Sequence, residues 1–167
     1  GPNIIGFSYD AVYLFRKQNI DVLGFPLHTG MGIVHPWAAA EVASGVYYAS
    51  ETALRILGPD GSVSDVDVVK RILADEWAAD IDRVRVGYDA TMNAVFVLLS
   101  SEMVSKTSEC PRERMAVLWL DTNRMTEVYD TTFTGITQGR VPDDASISDS
   151  PVRNRAVFVQ DFSQDDG

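Results

Sequence analysis

The sequence predicts an all-β fold of antiparallel four-stranded meanders carrying one amphipathic helix. Three observations lead there. Short apolar runs rich in Val, Ile, Leu, Tyr and Phe recur along most of the 167 residues, separated by Gly, Pro, Asn and Asp turn signals. Apolar residues at helical spacing occur convincingly once, between Asp65 and Ala79. The composition, 46% hydrophobic and 23% charged, is that of an ordinary globular chain able to bury a core.

The elements follow in order. Ala11 to Phe15 and Ile20 to Leu23 read as a hairpin, with Arg16 to Asn19 as its polar turn. Pro26 to Pro36, with His28, His35, Gly30 and Gly32, reads as a loop between sheets. Ala38 to Ala43, Val46 to Ser50 and Ala53 to Leu57 read as three antiparallel strands, with a Ser44-Gly45 turn after the first. Gly58-Pro59-Asp60-Gly61 then turns the chain into a fourth strand from Ser62, because Pro presets φ and Gly accepts a positive one.

The helix predicted over Asp65 to Ala79 places Val66, Val69, Leu73 and Trp77 on one face and Asp67, Lys70, Arg71, Asp75 and Glu76 on the other, with Asp65 as N-cap. Arg83 to Tyr88 alternates polar and apolar and is expected at the exterior. Ala94 to Ser100 is continuously apolar and is expected inside. Glu102 to Arg114 is a polar loop, Met115 to Leu120 pairs with Met125 to Tyr129, Thr131 to Ile136 is a short strand, and Arg155 to Gln160 is the last one. Val141 to Pro151, rich in Asp and Ser, is expected to be a mobile loop.

The charge bounds the partners. Fourteen Lys and Arg stand against 24 Asp and Glu, a formal net charge of -10 that repels phosphate backbones and anionic membrane surfaces. Cys110 is the single cysteine, which excludes an internal disulfide and a cysteine-rich zinc site and suits a reducing compartment. No apolar run reaches a membrane span. Gly1-Pro2 reads as the scar of a protease-cleaved tag, with the natural polypeptide expected to extend beyond one or both ends.

No catalytic, cofactor-binding or metal-ligating residue is assigned. His28 and His35 share one loop with no serine elbow, Cys110 has no local histidine, and seven residues of spacing are not a zinc signature. Asp143, Asp144 and Asp149 lack the alternating ligands of a calcium loop. No phosphate-cradling or dinucleotide glycine pattern occurs. Trp37, Trp77 and Trp119 with Tyr47, Tyr48 and Tyr88 suggest sugar stacking, but their strand and helix settings assign most of them to the core.

Two stretches carry a resemblance. Gly30 to Pro36 followed by Ala38 to Val42, Ser44 to Ser50 and Leu54 to Gly61 resembles a propeller blade of bacteriophage tail proteins. Val84 to Tyr88, Asp89 to Asn93, Ala94 to Ser100 and Ala116 to Val128 is similar to the following blade, and Asp10 to Phe25 to the outer strands of the preceding one. The resemblance covers residues 9–129. It implies β-propeller-like blades within a single β-rich domain over 1–167: first blade-like units at 9–64, the helix at 65–79, a second blade at 83–129, and a partial blade with an acidic tail at 130–167. A propeller needs about four blades of roughly 40 to 45 residues, so the chain is either a fragment of a larger propeller or a different small β-fold.

What the resemblance implies about function is a non-enzymatic structural component of a phage tail, a nozzle, hub or adaptor, assembled in the host cytoplasm and resident in the virion. Its expected partners are copies of itself in a ring and other tail proteins, with no nucleic acid, membrane or cofactor. Two other readings stay open: a carbohydrate-binding or glycan-processing β-domain, and a cellular propeller scaffold.

Overall fold

The computed structural model describes residues 4–18, 21–69, 84–99, 113–131, 133–143, 146 and 149–160. In them thirteen strands form four antiparallel sheets, each made of strands consecutive in sequence. The first sheet is β1 (Ile4–Phe7), β2 (Ala11–Gln18) and β3 (Asp21–Thr29). The second is β4 (Ala39–Val42), β5 (Gly45–Ala49), β6 (Leu54–Leu57) and β7 (Val63–Asp65). The third is β8 (Arg85–Asp89), β9 (Ala94–Leu99), β10 (Glu113–Trp119) and β11 (Arg124–Thr131). The fourth is the hairpin β12 (Phe133–Pro142) and β13 (Val152–Gln160). The all-β antiparallel class and the two four-stranded meanders are as the sequence predicts.

Several boundaries differ, each for a local reason. The opening hairpin gains β1, and β3 continues through Pro26 to Thr29, so the expected loop at Pro26 starts later. Val12 pairs His28 while its neighbour Tyr13 pairs Pro26, leaving Leu27 as the extra residue of a bulge on an edge strand, where proline is tolerated. The β4–β5 turn is Ala43-Ser44, and Gly45 is the first residue of β5, opposite Val42. Of the predicted helix, residues 67–69 form a helical turn and 70–79 lie outside the described residues, as do Trp77, Cys110 and most of the 102–114 loop. β12 is ten residues long where only a short strand was expected, and with β13 it shortens the 141–151 loop.

The tight turns of the third sheet have the same length. Asp89 pairs Ala94 and Trp119 pairs Arg124, each across four residues, and the last of the four, Asn93 and Asn123, has φ near +48° and +49°. Asn is the non-glycine residue that tolerates this region best. Asp89 Oδ1 accepts the amides of Thr91 (2.8 Å) and Met92 (3.0 Å), which fixes the first turn.

The sheets pack face to face in chain order. Alternate residues of each strand point to opposite faces. In β9, Val95, Val97 and Leu99 join Ala40, Val42, Tyr47, Ala49 and Leu54 of the second sheet, whereas Ala94, Phe96 and Leu98 join Ile136, Ala156 and Phe158 of the fourth. The other face of the second sheet, with Tyr48, Val46 and Leu57, meets Val12, Ile5 and Phe7 of the first. Every residue of β9 is buried, as its apolar run predicts.

β8 corrects the expectation of an exterior strand: from Val86 to Asp89 it is buried. Its second face is covered by the fourth sheet, and Gly87 makes room for Ile136, whose Cγ2 lies 3.0 Å from where a β-carbon would sit. The alternation seen in the sequence marks two different neighbours here, not core against solvent. β8 touches β4 and β5 on one side and β12 and β13 on the other. The Val86 amide also donates to the Trp37 carbonyl at 3.2 Å.

One charged pair is built into the stack. Arg55 and Asp65 face each other across β6 and β7, with Nε to Oδ1 at 2.9 Å and side chains 9% and 31% exposed, and Arg55 Nη2 also donates to Thr52 Oγ1 at 3.2 Å. Removing one partner of a buried pair strands the other in low dielectric. Asp65→Ala is expected to cost about 2 kcal/mol, less than a fully buried pair because Asp65 keeps some solvent. Urea denaturation checks this, and an unchanged midpoint contradicts it.

Candidate functional site

Among the described residues, His28, His35 and Asp143 each have their own separate partners. His28 Nε2 lies 2.8 Å from the Gly61 carbonyl and ties β3 to the β6–β7 turn. The His35 ring, seven residues on, has its Nδ1 3.2 Å from the Trp37 amide, from which it accepts a hydrogen bond. Asp143 Oδ2 accepts from Arg153 Nε at 2.8 Å and Oδ1 from Arg155 Nη2 at 3.2 Å. Desolvation opposes ionisation of Asp143, but the two guanidiniums outweigh it and hold the carboxyl below its ordinary value. Asp149 is exposed and Asp144 lies outside the described residues. Among the described residues no three His, Cys, Asp or Glu side chains gather as a metal site would require.

Hydroxyl, carboxylate and imidazole come near one another at the β6–β7 turn. Ser62 Oγ donates to Asp60 Oδ1 at 2.6 Å, the Ser62 amide donates to the same oxygen at 3.0 Å, and these bonds hold the Asp60 carboxyl below its ordinary value. His28 meets the Gly61 carbonyl in that turn. A nucleophilic triad needs the imidazole between hydroxyl and carboxylate. Here the carboxylate caps the turn directly and the imidazole is spent on the backbone, so this wiring closes a turn and activates no nucleophile.

Two clefts open at junctions between sheets, and neither was legible in the sequence. A cleft of about 560 Å³ between the first and second sheets is lined by Ile5, Leu14, Leu27, Val46, Leu57 and the 58–61 turn. Another, about 510 Å³, lies where the second, third and fourth sheets meet and presents Glu41, Tyr88, Arg140 and Asn154. Glu41, Val42 and Ala43 border both, so the β4–β5 turn is the wall between them. Two polar contacts also cross this junction: Gln138 Nε2 donates to the Glu41 carbonyl at 3.1 Å, and the Ala90 amide to the Asn154 carbonyl at 2.8 Å.

Of the aromatic residues, the three tyrosines lie in the core as their strand settings predict, Trp119 is less buried than its apolar strand suggests, and Trp77 lies outside the described residues. Tyr47, Tyr48 and Tyr88 are buried. The Tyr48 hydroxyl donates to the Met31 carbonyl at 2.9 Å, and the Tyr88 hydroxyl to Asn93 Oδ1 at 3.2 Å. Trp119 is half-buried with Nε1 bonded to Thr126 Oγ1 at 3.1 Å, and Trp37 is 60% exposed. Neither tryptophan lines either cleft described above.

Burial raises the phenol pKa of Tyr47 and Tyr48 above the ordinary 10.0; for Tyr48 desolvation leads, partly offset by Arg55. A group whose folded pKa is raised contributes stability that is present below its unfolded pKa and lost as pH rises through the folded one. The fold is therefore expected to hold to about pH 10 and weaken above it. A fluorescence-monitored denaturation series across that range tests this, and a stability that is flat well into the alkaline range rejects it.

Comparison with known proteins finds no matching family model and no matching curated protein. The class that the fold defines is a chain-ordered stack of antiparallel meanders whose polar side chains serve its turns and junctions.

Proposed function

We propose that the chain is a non-enzymatic structural component of a phage tail, of the nozzle, hub or adaptor kind, whose sheets are propeller blades and whose work is protein–protein contact. The observation that carries this reading is the stacking order. The two stretches with the resemblance, 30–61 and 84–128, fall on β4 to β6 of the second sheet and on β8 to β11 of the third, and these sheets are consecutive neighbours in the stack. First strands lie close together, β4 beside β8 and β8 beside β12, which is how blades radiate from an inner edge. Among the described residues the first sheet does not meet the fourth. Stiff sheet arrays with engaged polar groups suit a wall that holds its shape under load.

The test is particle composition. Mass spectrometry of purified virions of a phage carrying this gene is expected to find the chain, and immunogold is expected to place it on the tail. Its absence from purified particles would sink the reading.

Glycan binding is the second reading, favoured by the cleft at Glu41, Tyr88, Arg140 and Asn154, whose carboxylate, guanidinium, phenol and amide match the hydroxyls of a sugar. Oligosaccharide titration followed by amide NMR shifts at Ala90 and Asn154 decides it: saturable shifts there support it, and none reject it.

A further inference from the structure

The junction between the first and second sheets is closed at one end and parted at the other. On the face of the second sheet turned to the first, register sets two adjacent cross-strand rows: Ala39, Tyr48, Arg55 and Asp65 in one, and Glu41, Val46, Leu57 and Val63 in the next. The first row is closed over, since Tyr48 and Val12 have no exposed surface and the Tyr48 ring packs on Phe7 with centroids 5.0 Å apart. The second row borders the cleft of about 560 Å³, with Ile5, Leu14 and Leu27 supplying the first sheet's wall. There Ile5, Leu14, Leu27 and Val46 are only half-buried. A partly wet aliphatic floor gains free energy from an apolar group that displaces its water.

The charge of this cleft has one sign. Glu41 ends its row on β4, at the edge of the second sheet, and Asp60 lies in the β6–β7 turn that forms another part of the wall. Asp60 Oδ1 accepts from the hydroxyl and the amide of Ser62, and these bonds hold the carboxyl below its ordinary value, charged at neutral pH. Among the described residues no Lys, Arg or His lines the cleft, and the net charge of -10 draws cations toward the whole chain. Gly45, Gly58 and Gly61 also line it, so part of the wall is bare backbone that a second main chain can approach closely. At Gly61 the space a side chain would take holds only Leu27 Cδ1, 3.8 Å from the position of a β-carbon.

We infer that this cleft receives a basic-apolar segment of a partner protein, with an aliphatic side chain seated between the two sheets and Lys or Arg on either side of it meeting Glu41 and Asp60. Carboxylates on two separate elements call for two cations. Long basic side chains supply them, since their stems lie along apolar surface while their heads reach the rim. The glycine wall admits the segment's own backbone. The inference rests on the reading of the chain as a component that works by protein–protein contact, and it names the chemistry of one partner surface.

Amide NMR titration of the purified chain with blocked tripeptides tests it. Acetyl-Lys-Leu-Lys-amide is expected to give saturable shifts at Gly45, Val46 and Gly61. Acetyl-Lys-Gly-Lys-amide is expected to bind about tenfold more weakly, because the floor loses its aliphatic occupant. Acetyl-Glu-Leu-Glu-amide is expected to give no saturable shift. Glu41→Gln combined with Asp60→Asn, where Asn keeps a side-chain oxygen for the turn, is expected to weaken the first peptide roughly threefold to tenfold with an unchanged circular dichroism spectrum. The peptide series needs only the unaltered chain, so it stands whatever the variant's fold. Shifts absent from these amides overturn the inference. So does a glycine peptide that binds as tightly as the leucine peptide, which would mean cations drawn to an acidic surface and nothing more. Hexanediamine binding as tightly as the leucine peptide would also overturn it, assigning the cleft to a small amine. A chain found on tails that binds no peptide would sink this inference alone, and peptide binding by a chain absent from virions would sink the tail reading alone.

Discussion

Replacing Tyr48 by alanine is expected to destabilise the fold by about 4 kcal/mol, the scale for deleting a large buried aromatic. Tyr48 has no exposed surface and stands at the first junction of the stack, its ring 5.0 Å from that of Phe7 and its neighbours including Val12 and Leu57. Truncation opens a cavity between the first and second sheets, and it also leaves the Met31 carbonyl without its donor. For a chain of this size the loss corresponds to a fall in Tm of roughly 10 to 15 °C. Tyr48→Phe keeps the ring and is expected to cost only about 1 kcal/mol. Thermal denaturation of the pair separates packing from hydrogen bonding; equal losses in the two variants would show that the ring contributes little.

Replacing Gly45 by valine is expected to cost on the order of 3 kcal/mol or more, from two sources. Gly45 has φ of +144°, a region L side chains rarely adopt, and a β-carbon there would lie 2.1 Å from the carbonyl oxygen of Leu57. That obstacle is the backbone of β6, so no rotamer relieves it. Relief requires parting β5 from β6, the centre of the second sheet. Urea midpoints of Gly45→Val and of Ser44→Val, one residue earlier on the exposed turn, provide the comparison. Similar midpoints would contradict the account.

The strands of the two central sheets were legible because their signals are local. Val46 to Ala49 and Ala94 to Leu99 are β-branched or aromatic runs bounded by turn residues, and Asn93 and Asn123 mark turns whose geometry they favour. The burial of β8 was not legible. An alternating strand such as Arg85 to Tyr88 looks solvated on one side until it is known that a glycine on that side receives Ile136 from a hairpin fifty residues later. The extension of β3 through Pro26 was hidden for a related reason, since the bulge at Leu27 depends on register with β2 and the missing amide of Pro26 is tolerated because β3 is an edge strand. As for sites, the histidines and carboxylates are visible in the sequence, but their hydrogen-bond partners and the clefts arise only from how turns and sheets meet, and pairings between sheets leave no spacing pattern in one sequence.

The central claim is that four sheets pack face to face in chain order and that, among the described residues, the first sheet does not meet the fourth. Nuclear Overhauser contacts in dilute, monomeric protein test it most directly. The account predicts contacts between the Phe7 and Tyr48 rings, between the Val86 amide and Trp37, and between the Phe96 and Phe158 rings, one for each junction, and none linking Ile4 or Phe15 to Val157 or Val159. Loss of any of the three junction contacts, or a contact joining the first sheet to the fourth within a monomer, would contradict it.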